Sequence, residues 1–465
     1  MDGEQRVVDQ ATALLSVSRP QALWSEQDPA DWWRATNEAV AKLDTRARRA
    51  VVAVGLSGQM HGATLLDDAD AVIRPAILWN DGRSGEACAA MTDALPSLTD
   101  ITGNLAMPGF TAPKLWWLRE HEPDNFKRVA KVLLPKDYVR LLMTGTFASD
   151  MSDSAGTLWM DVAARDWSDA MLDLTCLSRA HMPELFEGAA ATGNLTAGVA
   201  DNWGMAQVPV AAGGGDNAAG AVGTGVVTPG QGFVSLGTSG VVFVASDTFA
   251  PNTDGAVHTF CHAVPDTWHQ MSVILSAASA VDFVARVAGF ETEGDLYAQV
   301  GDAKTPGRGA IFLPYLSGER TPHNDPHAKG AFWGLSHEDT PATLGQAALE
   351  GVAFALADGV DAMKAAGVKM TGLDVIGGGS RSSWWGKVIA SAIDMPLTYR
   401  DASAVGPAFG AARLARLADT DEAVEAVCTP PPVDHVVEPD PDMVALYKER
   451  RPLFSKLYHA TKELV

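Results

Sequence analysis

The chain has 465 residues, 47% of them hydrophobic and 20% charged, which excludes a disordered protein and exceeds what one ordinary core holds. Its 57 acidic against 35 basic side chains leave a formal charge of −22, a field that repels nucleic acid and anionic lipid and argues against either as a partner. The four cysteines (Cys88, Cys176, Cys261, Cys428) are scattered and form no CxxC pair, which argues against zinc and a disulfide framework and for a reducing cytoplasm.

The start, Met1-Asp2-Gly3-Glu4-Gln5, is polar and acidic, unlike a signal peptide, and no apolar run reaches the length of a membrane span. Residues 5–15 read as an exposed strand entered abruptly. Residues 31–41, after Pro29, read as an amphipathic helix. Residues 51–56 (VVAVGL) read as a buried strand that runs into Ser57-Gly58-Gln59-Met60-His61-Gly62, a pocket lip with donors, an acceptor and one apolar wall. Another strand, 76–79, ends in Trp79, Asn80, Asp81, Gly82 and Arg83. Trp79 offers a flat apolar face, while Asp81 and Arg83 either bond hydroxyls or pair with each other. Residues 109–121 open as a turn and continue as a helix carrying Lys114, Trp116 and Trp117. Residues 131–145 are a strand followed by a helix stopping at Gly145, and 150–167 read as β structure and loop.

At 208–212 an apolar strand meets Gly213-Gly214-Gly215-Asp216-Asn217-Ala218-Ala219-Gly220. Glycines let a backbone turn sharply and approach a ligand, and open α/β sheets place their sites at such strand-to-helix turns. Asp216 is there either an N-cap or a functional carboxylate. Residues 226–231 form a Pro/Gly break. Beyond it, two apolar strands flank Gly237-Thr238-Ser239-Gly240, a β-hairpin whose turn could cradle phosphate oxygens. A helix over 276–288 closes at Gly289, and 313–322 is a loop rich in turn residues. Thr340-Pro341 cap a long helix reaching Ala366. The strand 373–376 then meets Gly377-Gly378-Gly379-Ser380-Arg381-Ser382 and a helix over 384–393, repeating the strand–Gly₃–helix design of 208–220. A strand (397–400), a helix (403–417), a proline run (430–432) and a helix from about 443 finish the chain.

In this order, SGQMHG (57–62), WNDGR (79–83), GFTAPKLWWLREH (109–121), LLPKDYVRLLMTG (133–145), GGGDNAAGAVG (213–223), SLGTSG (235–240), LPYLSGERTPH (313–323) and GGGSRS (377–382) resemble the FGGY carbohydrate kinases over nearly the whole chain. The resemblance implies an α/β fold of two actin-like, ribonuclease-H-like domains flanking a cleft, here 1–225 for sugar and base and 229–465 for nucleotide. It implies ATP-dependent phosphorylation of a small-molecule sugar, D-xylulose by the closest match, with Mg²⁺ as cofactor and Asp216 as general base. Ribulose, glycerol and gluconate are the alternative acceptors. Met60, His61, Trp79, Asp81 and Asn217 are implied to bind the sugar. Gly237, Thr238 and Ser239 are implied at the ATP phosphates, and Gly378, Gly379, Ser380 and Ser383 at adenosine. No metal ligand is assigned, and a homodimer is the expected assembly.

The N-terminus departs from the family, whose members begin with a strand, an Asp-Leu-Gly-Thr-Ser-like turn and a second strand. This chain is expected to enter inside or just past that second strand, lacking about 15 residues at ordinary strand lengths. On that expectation the rival function is a nucleotide- or sugar-binding protein with impaired catalysis.

Overall fold

The computed structural model describes residues 1–303, 305–378, 382–401 and 406–464. The C-terminal half is built on a seven-stranded sheet in the spatial order His258–Cys261, Trp268–Ile274, Gly240–Ser246, Gly232–Leu236, Leu373–Ile376, Leu397–Arg400 and Val433–Val437. The first four strands pair antiparallel, the fourth, fifth and sixth run parallel, and the seventh is antiparallel again.

Strand alternation sends side chains to two different cores. Val234, Leu236, Val242 and Val244 face the helices Ala278–Val287, Pro341–Ala365, Ser383–Ile393 and Pro441–Lys462. Phe233, Phe243, Ala245, Phe260 and Met271 face the other way and join Phe110, Leu115, Trp159 and Ala221 of the N-terminal half in one buried cluster. The two halves are therefore joined by a shared apolar core as well as by the chain.

The N-terminal half carries short paired strands, among them Ser57–Gly58 parallel to Gly214–Gly215. The helices Pro29–Lys42, Thr111–His121 and Pro135–Thr144 lie where the periodicity put them. Thr340 caps Pro341–Ala365 as expected, accepting from the Thr343 amide.

Four segments depart from expectation. Residues 5–15 form no strand, because their backbone meets no ladder partner among the described residues, and Val7, Val8, Leu14 and Leu15 stay exposed. Among the described residues, 51–56 are bonded along one flank only, Val54 bridging Val210 and the Leu56 carbonyl accepting from Gly214, so they form no regular strand. The 150–167 stretch includes the helix Met151–Ala155, started by the Asp150 side chain, which accepts from the amides of Ser152 and Asp153. Asp216 is not an N-cap: Gly215 takes that position, and Asp216 is the first residue of the helix Asp216–Thr224.

That helix lies across Pro407–Asp419 of the C-terminal half in the most extensive helix contact of the molecule. A Cβ on Gly410 would overlap the carbonyl of Ala219, so the crossing needs a glycine there. Arg413, buried, donates to the last carbonyls of the helix at Val222 (2.8 Å) and Gly223 (3.1 Å), a cation placed against the negative end of the dipole. Gly410→Ala is expected to cost about 1–3 kcal/mol by overpacking. Gly198→Ala, in the helix Ala197–Trp203 where a Cβ meets nothing within 4 Å, is expected to be neutral or stabilising. Denaturant melts compare the two, and equal midpoints would refute the close crossing.

Candidate active site

Between the halves lies a cavity of about 750 Å³. Its walls bring together Met60, His61, Trp79, Asp81, Asp216, Asn217 and Ser239 of the residues singled out from sequence. Gly237 and Thr238 adjoin Ser239 in the turn but do not line it, and Gly378 and Ser383 lie apart from it. Gly379 and Ser380 lie outside the described residues.

Asp216 is aimed at the cavity from the first turn of its helix. Its Oδ1 accepts from the amide of Asn217 (2.9 Å) and from Asn217 Nδ2 (3.2 Å). Burial raises its pKa above the ordinary carboxylate value, outweighing the hydrogen bonds from Asn217. The loop before it is pinned from below: the Gly215 amide donates to Ser152 Oγ (3.1 Å), and Ser152 Oγ donates to Asp150 Oδ1 (2.5 Å). Asp150 belongs to a fully buried charge cluster in which Lys136 Nζ stands 2.5 Å from Asp137, 2.8 Å from Asp150 and 3.7 Å from Asp153. A Cβ on Gly215 would press on the side chain of Met60, which packs against the loop.

His61 is held from three directions. Its backbone is left-handed at φ 68°, and its carbonyl accepts from Lys114 Nζ (2.7 Å) and Thr111 Oγ1 (3.2 Å). Its Nδ1 is 2.6 Å from the Gly156 carbonyl, an acceptor only, so Nδ1 carries the proton and Nε2 is left as an acceptor. Burial, with Lys114 nearby, drops its pKa to about 3, so the ring is neutral across the physiological range. Phe110 meets it edge-on at 4.8 Å.

Trp79 lines the cavity with about half of its surface exposed. Asp81 is buried, and its carboxylate is held by Arg83 Nε (2.9 Å) and NH2 (2.7 Å) and by the Ser25 amide (2.6 Å). Of the two readings its sequence allowed, the pair with Arg83 is formed.

The 237–240 turn joins the strands Gly232–Leu236 and Gly240–Ser246 in the expected hairpin. Its carbonyls face backward: Gly237 O accepts from Ala278 (2.9 Å) and Thr238 O from Ala277 (2.9 Å) and Ser279 Oγ (2.7 Å). The amides and hydroxyls of Thr238 and Ser239 make no hydrogen bond among the described residues. The donors suited to phosphate oxygens are therefore the ones left free.

Sequence reasoning missed Lys114 and Thr111 as supports of His61, the Lys136 cluster, and the cavity residues Phe110, His258, Glu319 and Arg320. The adjacent Glu-Arg pair in an otherwise apolar and turn-forming loop was the available signal for the last two.

Residues 1–223 match the N-terminal domain of the FGGY family of carbohydrate kinases and residues 232–418 its C-terminal domain. The xylulose kinase of Escherichia coli (strain K12) is 52% identical over 460 residues, 98% of this chain and 95% of that protein. The xylulose kinase of Klebsiella pneumoniae is 50% identical, covering 100% and 96%. The crystal structure of a xyloylose kinase from Brucella ovis superposes with a TM-score of 0.96 at 48% identity, covering 100% of this chain and 96% of that one.

Lys114 is fully buried, and burial lowers its pKa from 10.5 to about 7. The unfolded chain therefore binds the proton more tightly between about 7 and 10.5, and stability rises with pH through that window. Lys114→Met is expected to remove this rise, on the order of 4 kcal/mol across the window, and to weaken binding at the His61 wall. Urea melts of both proteins at pH 7 and 10 measure it, and parallel pH profiles would refute the buried-lysine account.

Proposed function

The chain belongs to the FGGY family of carbohydrate kinases, and we propose that it transfers the γ-phosphoryl group of ATP to O5 of D-xylulose. One observation carries the reading: a single cavity holds the carboxylate of Asp216, the sugar wall of Met60 and His61, and Ser239 of the phosphate-type turn.

In the proposed reaction O5 attacks the γ-phosphorus. The O5–P bond forms as the bond to the β,γ-bridging oxygen breaks, and ADP leaves with that electron pair. Asp216 accepts the O5 proton. Phosphoryl transfer asks little covalent help of a protein, so positioning and charge compensation carry most of the catalysis. Burial suits Asp216 to this task, because a carboxylate raised above its ordinary pKa is a stronger base. His61 Nε2, an acceptor by virtue of the Nδ1 bond to Gly156, takes a hydrogen bond from a sugar hydroxyl. Asn217 holds the Asp216 carboxylate in place, and Trp79 and Asp81 complete the sugar wall.

The free amides and hydroxyls of Thr238 and Ser239, with Gly237 giving the backbone room, receive the ATP phosphates. The adenosine contacts are assigned to Gly378, Gly379, Ser380 and Ser383, on the resemblance of 377–382 to the adenosine loop of the family; Ser383 is the first residue of the helix Ser383–Ile393. Magnesium supplies charge neutralisation at the phosphates. It would be carried by the nucleotide phosphates, with Asp216 and the 237–240 turn as the residues of this chain that would lie toward it. Four free cysteines, and no helix among the described residues long and apolar enough to cross a membrane, support work in a reducing cytoplasm.

Asp216→Ala is expected to lower kcat by about 10²–10⁴ with an unchanged melting temperature, the range for a lost general base. In the wild-type protein kcat/KM is expected to fall on acidification with an inflection above the ordinary aspartate value of 3.8, because the base must be ionised. A coupled ADP-release assay over D-xylulose, D-ribulose, glycerol and gluconate checks both reaction and acceptor. Wild-type turnover in Asp216→Ala, or a preference for glycerol, would overturn the proposal.

A further inference from the structure

The loop after the strand Ile311–Leu313 carries Arg320 into the cavity opposite His61. Its neighbours fix it there. Glu319, buried, accepts from the amides of Leu275 (2.9 Å) and Arg320 (2.7 Å). Thr321, also buried, donates its amide to the Val273 carbonyl (3.0 Å), while its Oγ1 accepts from the Val273 amide (3.0 Å) and donates to the Ala256 carbonyl (3.0 Å). The residues on both sides of Arg320 are thus tied to the end of the sheet strand Trp268–Ile274, and the backbone between them has little freedom.

The guanidinium has donors to spare. NH1 stands 3.5 Å from His258 Nε2. His258 Nδ1 is 3.1 Å from Asn104 Oδ1, and Asn104 Nδ2 donates to the carbonyls of Thr102 (2.8 Å) and Thr259 (2.7 Å), so Oδ1 is the acceptor. His258 therefore carries its proton on Nδ1 and offers Nε2 to Arg320. Among the described residues no carboxylate oxygen lies within 4.0 Å of the Arg320 nitrogens. A half-buried guanidinium with one long contact and no ion pair within 4.0 Å among the described residues, the charge of Glu319 acting on it from farther off, has most of its five N–H groups left for a ligand.

Two acceptors are at hand, the transferring phosphoryl group and the far end of the sugar. Geometry favours the second: NH1 contacts His258, and the rings of His258 and His61 both meet Phe110 edge-on, at 5.7 and 4.8 Å. Arg320 belongs to the His61 end of the cavity. With O5 of an open-chain pentulose at Asp216, C1 and C2 extend toward that end.

We infer that Arg320 is a specificity-determining residue of the sugar pocket, its guanidinium donating to the C2 carbonyl oxygen of a ketose acceptor. This rests on the proposed kinase reading. A guanidinium only donates and a carbonyl only accepts, so the pair is matched without the choice of hydroxyl rotor that an alditol requires. An alditol keeps an oxygen at C2, but as a hydroxyl on a tetrahedral carbon it leaves the carbonyl plane and must fix its rotor to accept the same N–H groups, which favours the ketose.

The test compares D-xylulose with xylitol, its C2-reduced counterpart, in wild-type enzyme and Arg320→Met. The expected result is a rise in KM for D-xylulose of about 10- to 100-fold, the range of a lost hydrogen bond to a charged group. The KM for ATP stays within about twofold, and the preference for D-xylulose over xylitol shrinks, because the carbonyl loses the better-matched contact of the two. Arg320→Lys, which keeps charge and stem but not the planar fork, is expected to fall between, and it supplies the comparison if Arg320→Met does not fold. An unchanged ketose-to-alditol ratio, or a loss confined to the KM for ATP, overturns the inference. Wild-type enzyme inactive on D-xylulose would instead overturn the proposed function, before any variant is made.

Discussion

The crossing of Asp216–Thr224 with Pro407–Asp419 is the constraint on which the rest of the molecule depends. The first helix begins at the carboxylate and belongs to the N-terminal half, and the second belongs to the C-terminal half. Backbone meets backbone at Gly410 and Ala219, so the two helices have almost no slack along their line of contact. Arg413 locks the far end of the same helix through the carbonyls of Val222 and Gly223. The carboxylate is thereby positioned by both halves at once. The cavity is bounded on one side by the loop before this helix and on the other by the sheet hairpin.

Electrostatics around the cavity follow from burial more than from pairing. His61 and His258 are neutral because their rings are desolvated, and each has its tautomer set by one acceptor, the Gly156 carbonyl and Asn104 Oδ1. Neutral imidazoles with directed lone pairs recognise hydroxyl and N–H groups without adding charge beside the base. Full charge is kept one layer down. Lys136 and Arg140 answer Asp137, Asp150 and Asp153 in a buried cluster that reaches the Asp216 loop through Ser152 and the Gly215 amide and, from Arg140, through the Ala211 and Ala212 carbonyls. A buried charge set of this kind is costly to break, which makes it a rigid support and a poor participant in proton transfer.

Much of this was legible in the sequence where local rules are strong. Glycine triplets between an apolar strand and a small-residue run marked 213–220, and alternating apolar residues around Gly237-Thr238-Ser239-Gly240 marked the hairpin. Thr340-Pro341 predicted a helix start that the Thr343 amide confirms. What escaped depends on partners distant in the chain. Residues 51–56 have the composition of a strand but a ladder on one flank only, and composition does not report neighbours. Residues 5–15 fail for the same reason. Asp81 could not be assigned from sequence because Ser25, which helps hold it, is 56 positions away. Arg320 matters because of what does not surround it, and an absent counter-ion leaves no mark on a linear pattern.

The charge of −22 gives that last absence its meaning. With 57 acidic side chains available, a cation lining the main cavity with no carboxylate oxygen within 4.0 Å among the described residues is a position the fold has kept open. Elsewhere the arginines nearest the site are paired: Arg83 with Asp81 and Glu26, Arg74 with Glu26 and Glu122, Arg140 with Asp137. Glu319 is next to Arg320 in the chain, yet its carboxylate is turned to backbone amides, and burial lifts its pKa to about 7. The neighbour that could have neutralised the guanidinium is used to hold its backbone instead. The same loop thus fixes where the cation stands and leaves its donors facing the cavity, the combination a ligand-reading residue requires.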